Sequence, residues 1–146
     1  MKSCHEFLEL ETSEGIQLHD ITQRVRESVQ TAGVLNGVVT IISQHTTTAI
    51  TINENEARLL KDIDTFFTRL VPADQHYLHN DIHLRDCPDD EPENAHSHLI
   101  AMLLGSSESI AVVDGELALG QWQSIMMVEL DGPRTRKVSV QVLGTN

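Results

Sequence analysis

The stretch Gly37-Val38-Val39-Thr40-Ile41-Ile42-Ser43-Gln44 decides the fold, because five of its eight residues are β-branched. Such side chains pack well on a pleated sheet, and Asn36-Gly37 marks the start of the stretch, so we predict a strand over 37–44. A bend at His45 leads into further β-branched residues, which predict a second strand over 46–52. Apolar residues at helical spacing then predict a helix over 56–70.

The rest of the chain supplies the same two kinds of element. Alternating or β-branched residues predict further strands over 6–12, 108–113, 121–130 and 136–143. Helical spacing predicts two more helices, over about 22–31 and 96–104. The turn signal Asp131-Gly132-Pro133 lies between the last two strands and predicts antiparallel pairing at the end of the chain. We therefore predict an α+β fold, a single domain over 1–146 with a mixed or antiparallel sheet and about three helices.

The composition excludes several classes of protein. At 146 residues the chain is long enough to bury the core of one domain. The net charge of −12 and an aromatic content of 3% disfavour a nucleic-acid partner. No apolar run reaches the ~20 residues that span a bilayer, so no membrane partner is expected. The N-terminal residues lack the apolar stretch of a signal peptide, and Cys4 and Cys87 have no CxxC partner, so we expect a cytoplasmic protein with reduced thiols.

Histidines concentrate in one part of the chain, since six of the eight lie between His45 and His98. Several of them fall in a predicted loop over about 71–92, and loops of that length are often functional. The sharpest local pattern is His96-x-His98, because neutral imidazole is a common ligand of divalent metals. Residues two apart on an ideal helix point about 200° apart, so these two converge on one ion only near a helix start or in extended backbone. The alternative is that one histidine packs or caps while the other is free.

Other polar residues are candidates for catalysis or binding. His45 follows an apolar strand, which places it to aim into a cleft from a rigid base, unless it is a core histidine bonded to a threonine. Glu54 precedes a helix N-terminus, where the dipole favours a carboxylate, and its functional interpretation is a general base or a partner of metal-bound water. Arg134 and Arg136 suit an anionic ligand, although in an acidic protein they could simply pair with carboxylates.

Seven short motifs follow one another along the chain. They are Gln44-His45-Thr46-Thr47, Thr51-Ile52-Asn53-Glu54-Asn55, Tyr77-Leu78-His79, Asn94-Ala95-His96-Ser97-His98, Leu104-Gly105-Ser106-Ser107, Gly120-Gln121-Trp122-Gln123 and Asp131-Gly132-Pro133-Arg134. In this order they resemble the secondary thiamine-phosphate synthase family, also known as the YjbQ-like or UPF0047 proteins. The resemblance extends from about Val38 to Gly144.

This resemblance implies a YjbQ-like α+β fold, a homotrimer, and a histidine-lined site that holds a divalent metal, either zinc or magnesium. It implies a phosphorylated small-molecule substrate and an enzyme that couples a pyrimidine methyl pyrophosphate to a thiazole phosphate with release of pyrophosphate. The implied residues are the metal ligands His79, His96 and His98, the catalytic residues His45 and Glu54, and the substrate-binding residues Asn53, Arg134 and Arg136. Two alternatives stay open, namely a zinc-type hydrolase of another phosphorylated substrate and a metal- or metabolite-binding module without turnover.

Overall fold

A computed structural model describes residues 1–146 and contains eight strands and three helices. The strands are β1 (Lys2–Glu11), β2 (Gln17–Asp20), β3 (Asn36–Ser43), β4 (Thr48–Asn53), β5 (Ser107–Val113), β6 (Glu116–Leu117), β7 (Ser124–Glu129) and β8 (Thr135–Thr145). The helices are α1 (Thr22–Ala32), α2 (Ala57–Leu70) and α3 (Ala95–Leu104). The loop between α2 and α3 contains two short 3₁₀ turns, Leu78–Asn80 and Ile82–Leu84. Each of the three helices is too short or too polar to span a lipid bilayer.

The strands form two antiparallel sheets. The larger sheet has the order β1-β8-β3-β5-β6, and the smaller sheet has the order β2-β7-β4. With three helices on these sheets, the predicted α+β fold is confirmed. The strands β2 and β6 were not predicted, because four and two residues are too few to show a clear alternation.

Two apolar clusters hold the layers together. The larger cluster of 17 buried residues joins the inner face of the five-stranded sheet to α1 and to one face of the three-stranded sheet. The smaller cluster packs α2 and α3 on the opposite face of the three-stranded sheet. Because that sheet is covered on both faces, β7 reads as a continuous apolar run, Ile125-Met126-Met127-Val128, with every side chain buried.

The chain passes between the two sheets six times, and two of these passages form the site described next. β3 belongs to the large sheet and β4 to the small one, while β7 belongs to the small sheet and β8 to the large one. The last two strands therefore do not pair with each other, although the turn signal at 131–133 had suggested that they do. Instead β8 pairs antiparallel with β1 and β3, because the turn carries the chain across the interface between the sheets. The two crossover segments, 44–47 and 130–134, position the site described next.

Candidate functional site

The two crossovers lie side by side and are joined by hydrogen bonds. The backbone N–H of Leu130 donates to the carbonyl of Thr47 at 3.2 Å, and that of Gln44 donates to the carbonyl of Lys137 at 3.3 Å. The His45 ring continues the β3–β8 pairing, because its Nε2 accepts from the backbone N–H of Lys137 at 2.8 Å. This junction is therefore a fixed platform at one end of both sheets.

A polar cleft of about 390 Å³ opens on this platform, and no hydrophobic residue lines it. His45 and His98 lie in its wall together with Arg134 and Arg136. A second depression of about 570 Å³ adjoins the cleft and shares His45 and His98 with it. The structure thus brings four of the eight predicted site residues to one place.

His45 is held in one tautomer. A backbone N–H can only donate, so the Nε2 atom that accepts from Lys137 carries no proton, and the neutral ring bears its proton on Nδ1. Burial lowers the pKa of His45, the nearby Arg136 charge lowers it further, and Glu129 opposes the change. At neutral pH the residue is therefore a neutral imidazole whose Nδ1–H is a hydrogen-bond donor.

His98 forms a close pair with His79 from the long loop. The two ring centroids are 4.8 Å apart and the planes are inclined at 76°. Burial lowers the pKa of His98 and the neighbouring His79 adds to the effect, while Asp131 and the Thr46 backbone act in the opposite direction. Arg85, for which the sequence suggested no role, fastens this loop by donating from Nη1 to the His79 carbonyl at 2.8 Å.

His96 does not join this pair. It lies within α3 two residues before His98, and the helical rotation sends it into another pocket, which Asp64 and Thr68 also line. Its Nδ1 is buried there without a hydrogen-bond partner. No group of three or more His, Cys, Asp or Glu side chains is arranged to hold a metal ion. The predicted set of His79, His96 and His98 is therefore not assembled within one chain, and only the His79–His98 pair is formed.

Arg136 is part of a buried ion pair with Glu129, whose side chain is completely inaccessible. Its Nε and Nη2 donate to the Glu129 carboxylate at 2.7 and 2.6 Å, and Nη2 also donates to Thr47 Oγ1 at 2.9 Å. Burial alone would raise the pKa of Glu129, but hydrogen bonds from Arg136 and Thr12 outweigh it, so the pKa is lowered. Arg136 therefore stabilises the platform. Its Nη1 group makes none of these hydrogen bonds, so it can donate to a ligand in the cleft.

Arg134 is more accessible and is oriented by Asp131. Its Nε donates to the Asp131 carbonyl at 3.0 Å, and its Nη2 donates to the Asp131 carboxylate at 3.1 Å. The same carboxylate oxygen accepts from Asn94 Nδ2 at 2.7 Å. Asp131 thus sets the positions of an arginine and an amide in the wall of the cleft.

Asn53 and Glu54 lie away from the cleft. Asn53 is the last residue of β4 and Glu54 follows it, and the six residues of this strand extend about 17 Å from the end that carries the His45 crossover. Asn53 Oδ1 accepts from the Glu54 backbone N–H at 2.8 Å, and Asn53 borders an apolar pocket beside Phe66 and Phe67. A single chain therefore does not bring these two predicted residues to His45.

Three residues of the platform had no role in the sequence analysis. Asn94 and Asp131 belong to two of the seven motifs, and Glu129 lies inside a predicted strand, but none of them is among the predicted site residues. One signal for Glu129 exists in the sequence, because a carboxylate that ends the apolar run of β7 has to be paired if it is buried. No local pattern identifies its partner, since Arg136 lies on a strand of the other sheet.

The fold and the cleft define a class of small α+β proteins with a histidine- and arginine-lined site at a junction of two sheets. The model of the UPF0047 protein YjbQ-like family matches residues 6–145, so the chain belongs to that family. It is 45% identical to a UPF0047 protein of Methanothermobacter thermautotrophicus over 94% of this chain and 90% of the relative. It is 34% identical to the UPF0047 protein YugU of Bacillus subtilis over 94% and 97%.

Solved structures agree with this assignment. The crystal structure of a YbjQ-like protein of unknown function from Sulfolobus solfataricus superposes with a TM-score of 0.88 at 36% identity, covering 98% of both chains. That of a hypothetical protein from Aeropyrum pernix gives 0.87 at 37% identity, covering 96% of this chain and 98% of the other. The predicted YjbQ-like family is confirmed. The names of these relatives state no reaction, so the thiamine-phosphate synthase activity stays a prediction.

Proposed function

We propose that the cleft binds the phosphate group of a small phosphorylated molecule, and that its reaction is the coupling of a pyrimidine methyl pyrophosphate to a thiazole phosphate. The observation that carries this proposal is the convergence of His45, His98, Arg134 and Arg136 on one cleft without hydrophobic lining. Guanidinium groups and imidazole N–H donors are the groups that recognise phosphate oxygens.

Recognition depends on directed donors more than on net charge. Glu129 compensates the charge of Arg136, and Asp131 partly compensates that of Arg134. A guanidinium has five N–H donors, and the hydrogen bonds of both arginines leave their Nη1 groups for a ligand. The Nδ1–H of His45 adds a third donor with a fixed direction. An anion that reaches several oxygens at once, such as phosphate or pyrophosphate, fits this set.

The coupling reaction suits a site with donors and no strong base. The thiazole ring nitrogen attacks the methylene carbon next to the pyrimidine, a C–N bond forms, and the C–O bond to pyrophosphate breaks. The electron pair of that bond leaves with pyrophosphate, whose developing charge the Arg134, Arg136 and His45 donors stabilise. The attacking nitrogen carries no proton, so the neutral state of His45 is compatible with the reaction.

No step is assigned to the divalent metal that the sequence analysis predicted. Within one chain His79 and His98 come together and His96 lies in a separate pocket, so the donor set does not fit an ion held by all three. Imidazole ligands favour zinc. Magnesium prefers oxygen ligands, which the His79–His98 pair does not offer.

We also propose the homotrimer that the resemblance implied. The outer face of the five-stranded sheet has no helix on it and exposes Phe7, Ile42 and Leu143. A neighbouring subunit would cover such a face, and it could bring its own Asn53 and Glu54 to the cleft. Light scattering coupled to gel filtration tests this assembly, and a monomer at micromolar concentration would contradict it.

The activity is tested by incubating the purified protein with both substrates and measuring thiamine phosphate and pyrophosphate. We expect turnover that falls at least about tenfold in Arg134→Ala, since one oriented donor to a developing anion is worth that much. The matched control is Arg26→Ala, which removes an arginine of α1 paired with Glu116. Pyrophosphate that causes no change in the NMR signals of the cleft refutes the binding proposal. Binding without turnover refutes only the coupling reaction.

A further inference from the structure

Asn94 occupies the N-cap position of α3 but does not cap the helix. An asparagine at this position normally accepts a hydrogen bond from the first turn through its side-chain oxygen. Here the backbone N–H of Ala95 donates instead to Asn80 Oδ1 at 3.1 Å, so a residue of the long loop provides the cap. The Asn94 side chain is thereby released from the role that its position predicts.

The orientation of the Asn94 amide is fixed. Its Nδ2 donates to Asp131 at 2.7 Å, and only the amide nitrogen can face a carboxylate in this way. The opposite atom, Oδ1, is therefore an acceptor, and it is buried without a partner in a residue that is only 7% exposed. Buried acceptors are paired in the great majority of cases, so an unpaired one in a residue that lines the cleft needs an explanation.

We infer that Asn94 Oδ1 accepts a hydrogen bond from the ligand, and that the cleft selects phosphate esters that carry a hydroxyl or amino group. This inference rests on the proposed binding of phosphate in the same cleft. The Asp131 carboxylate oxygen accepts from Asn94 Nδ2 and Arg134 Nη2, so these two nitrogen atoms are at most about 6 Å apart, the sum of the two bond lengths, and the two side chains are neighbours in the cleft. A small molecule with a phosphate at one end and a donor a few atoms away has the length to bridge two neighbouring side chains.

The competing explanations are a trapped water molecule and a packing role. A trapped water molecule would donate to the Oδ1 atom, and a packing role would leave that atom unpaired. Neither explanation makes the cleft prefer one ligand over another. The decisive measurement is thus a comparison of ligands of the same size and phosphate group, with and without a hydrogen-bond donor.

The probes are 2-hydroxyethyl phosphate, 2-aminoethyl phosphate and propyl phosphate, which have the same number of non-hydrogen atoms. Each is titrated into the full-length protein, and affinity is measured from amide chemical shifts of the cleft residues. We expect the two donor-bearing phosphates to bind about tenfold more tightly than propyl phosphate, a difference at the low end for leaving a buried acceptor unpaired.

Two variants assign that preference to Asn94. In Asn94→Ala we expect the preference for the donor-bearing phosphates over propyl phosphate to fall below about threefold, because the acceptor is absent. In Asn80→Ala, which removes the side chain that caps the same helix turn, we expect the preference of the parent protein.

Each result has one meaning. Equal affinity of the three probes in the parent protein overturns the inference and leaves phosphate binding intact, whether or not Asn94→Ala folds. A preference that persists in Asn94→Ala overturns it as well, because the acceptor would then lie elsewhere. If no probe binds at the cleft, both the inference and the proposed function fail.

Discussion

Replacement of Glu129 by glutamine is expected to destabilise the protein severely without changing the size of the side chain. The carboxylate receives five hydrogen bonds of 2.6–2.9 Å, from Thr12, the backbone of Leu130 and Asp131, and twice from Arg136. All five groups are donors, so the amide nitrogen of glutamine would face donors and the Arg136 charge would lose its partner. Removing one partner of a buried ion pair costs about 3–5 kcal/mol.

The magnitude can be measured by denaturant and thermal unfolding of Glu129→Gln. For a protein of this size a loss of 3–5 kcal/mol corresponds to a decrease of roughly 6–20 °C in the melting temperature. The control is Glu116→Gln, which breaks the exposed pair with Arg26 and should cost no more than about 1 kcal/mol. The double variant Glu129→Met, Arg136→Met should recover much of the loss, since neither charge is then left unpaired.

The pH dependence of this pair follows from the lowered pKa of Glu129. A carboxyl whose pKa is lower in the folded protein than in the unfolded chain contributes its full stability above the unfolded pKa, near 4.3. That contribution is lost as the pH falls through the folded pKa, so Glu129→Gln and the parent protein should become more alike in acid. A loss below 1 kcal/mol at pH 7, or one that does not shrink in acid, would refute the reasoning.

Three further predictions follow. The ¹⁵N shifts of His45 should show a neutral ring protonated at Nδ1 at pH 7, and a charged ring or an Nε2–H tautomer would contradict the hydrogen bond from Lys137. Zinc binding measured by titration should weaken at least about tenfold in His98→Ala and stay unchanged in His96→Ala, because only His98 lies beside His79. An equal loss in both variants would mean that His79, His96 and His98 all bind the ion. Asn80→Ala should cost about 1 kcal/mol in chemical denaturation, as expected for a lost helix cap, and no loss would mean that Asn80 caps nothing.

The sequence predicted those features that depend on neighbours along the chain. The central strand and the three helices follow from β-branched runs and helical spacing, and in the structure α1 ends before Gly33, which adopts the left-handed conformation. The divergence of His96 and His98 also follows from the helical rotation once α3 is known to begin at Ala95. These features can be predicted without knowing which strands pair.

The features that the sequence did not predict depend on the exchange of strands between the sheets. The motif at 131–134 has the composition of a hairpin turn, yet it connects β7 to a strand of the other sheet. The same exchange pairs Glu129 with Arg136, only seven residues away, through a buried contact that no helical or strand period describes. Likewise, β4 separates Glu54 from His45 by its full length, although both belong to motifs that adjoin the same strand.

The crossovers explain why the polar groups gather at one place in an otherwise apolar interior. A chain that leaves one sheet for another exposes backbone donors and acceptors that no strand pairs, and buried groups of this kind have to be satisfied. In this protein His45 accepts from the backbone of Lys137, and Glu129 accepts from the backbone of Leu130 and Asp131. His45 thus both closes the junction and lines the cleft, and Glu129 holds Arg136, which lines the cleft as well. Stability and the proposed ligand recognition therefore depend on one hydrogen-bond network, so a substitution in it has to be tested for both.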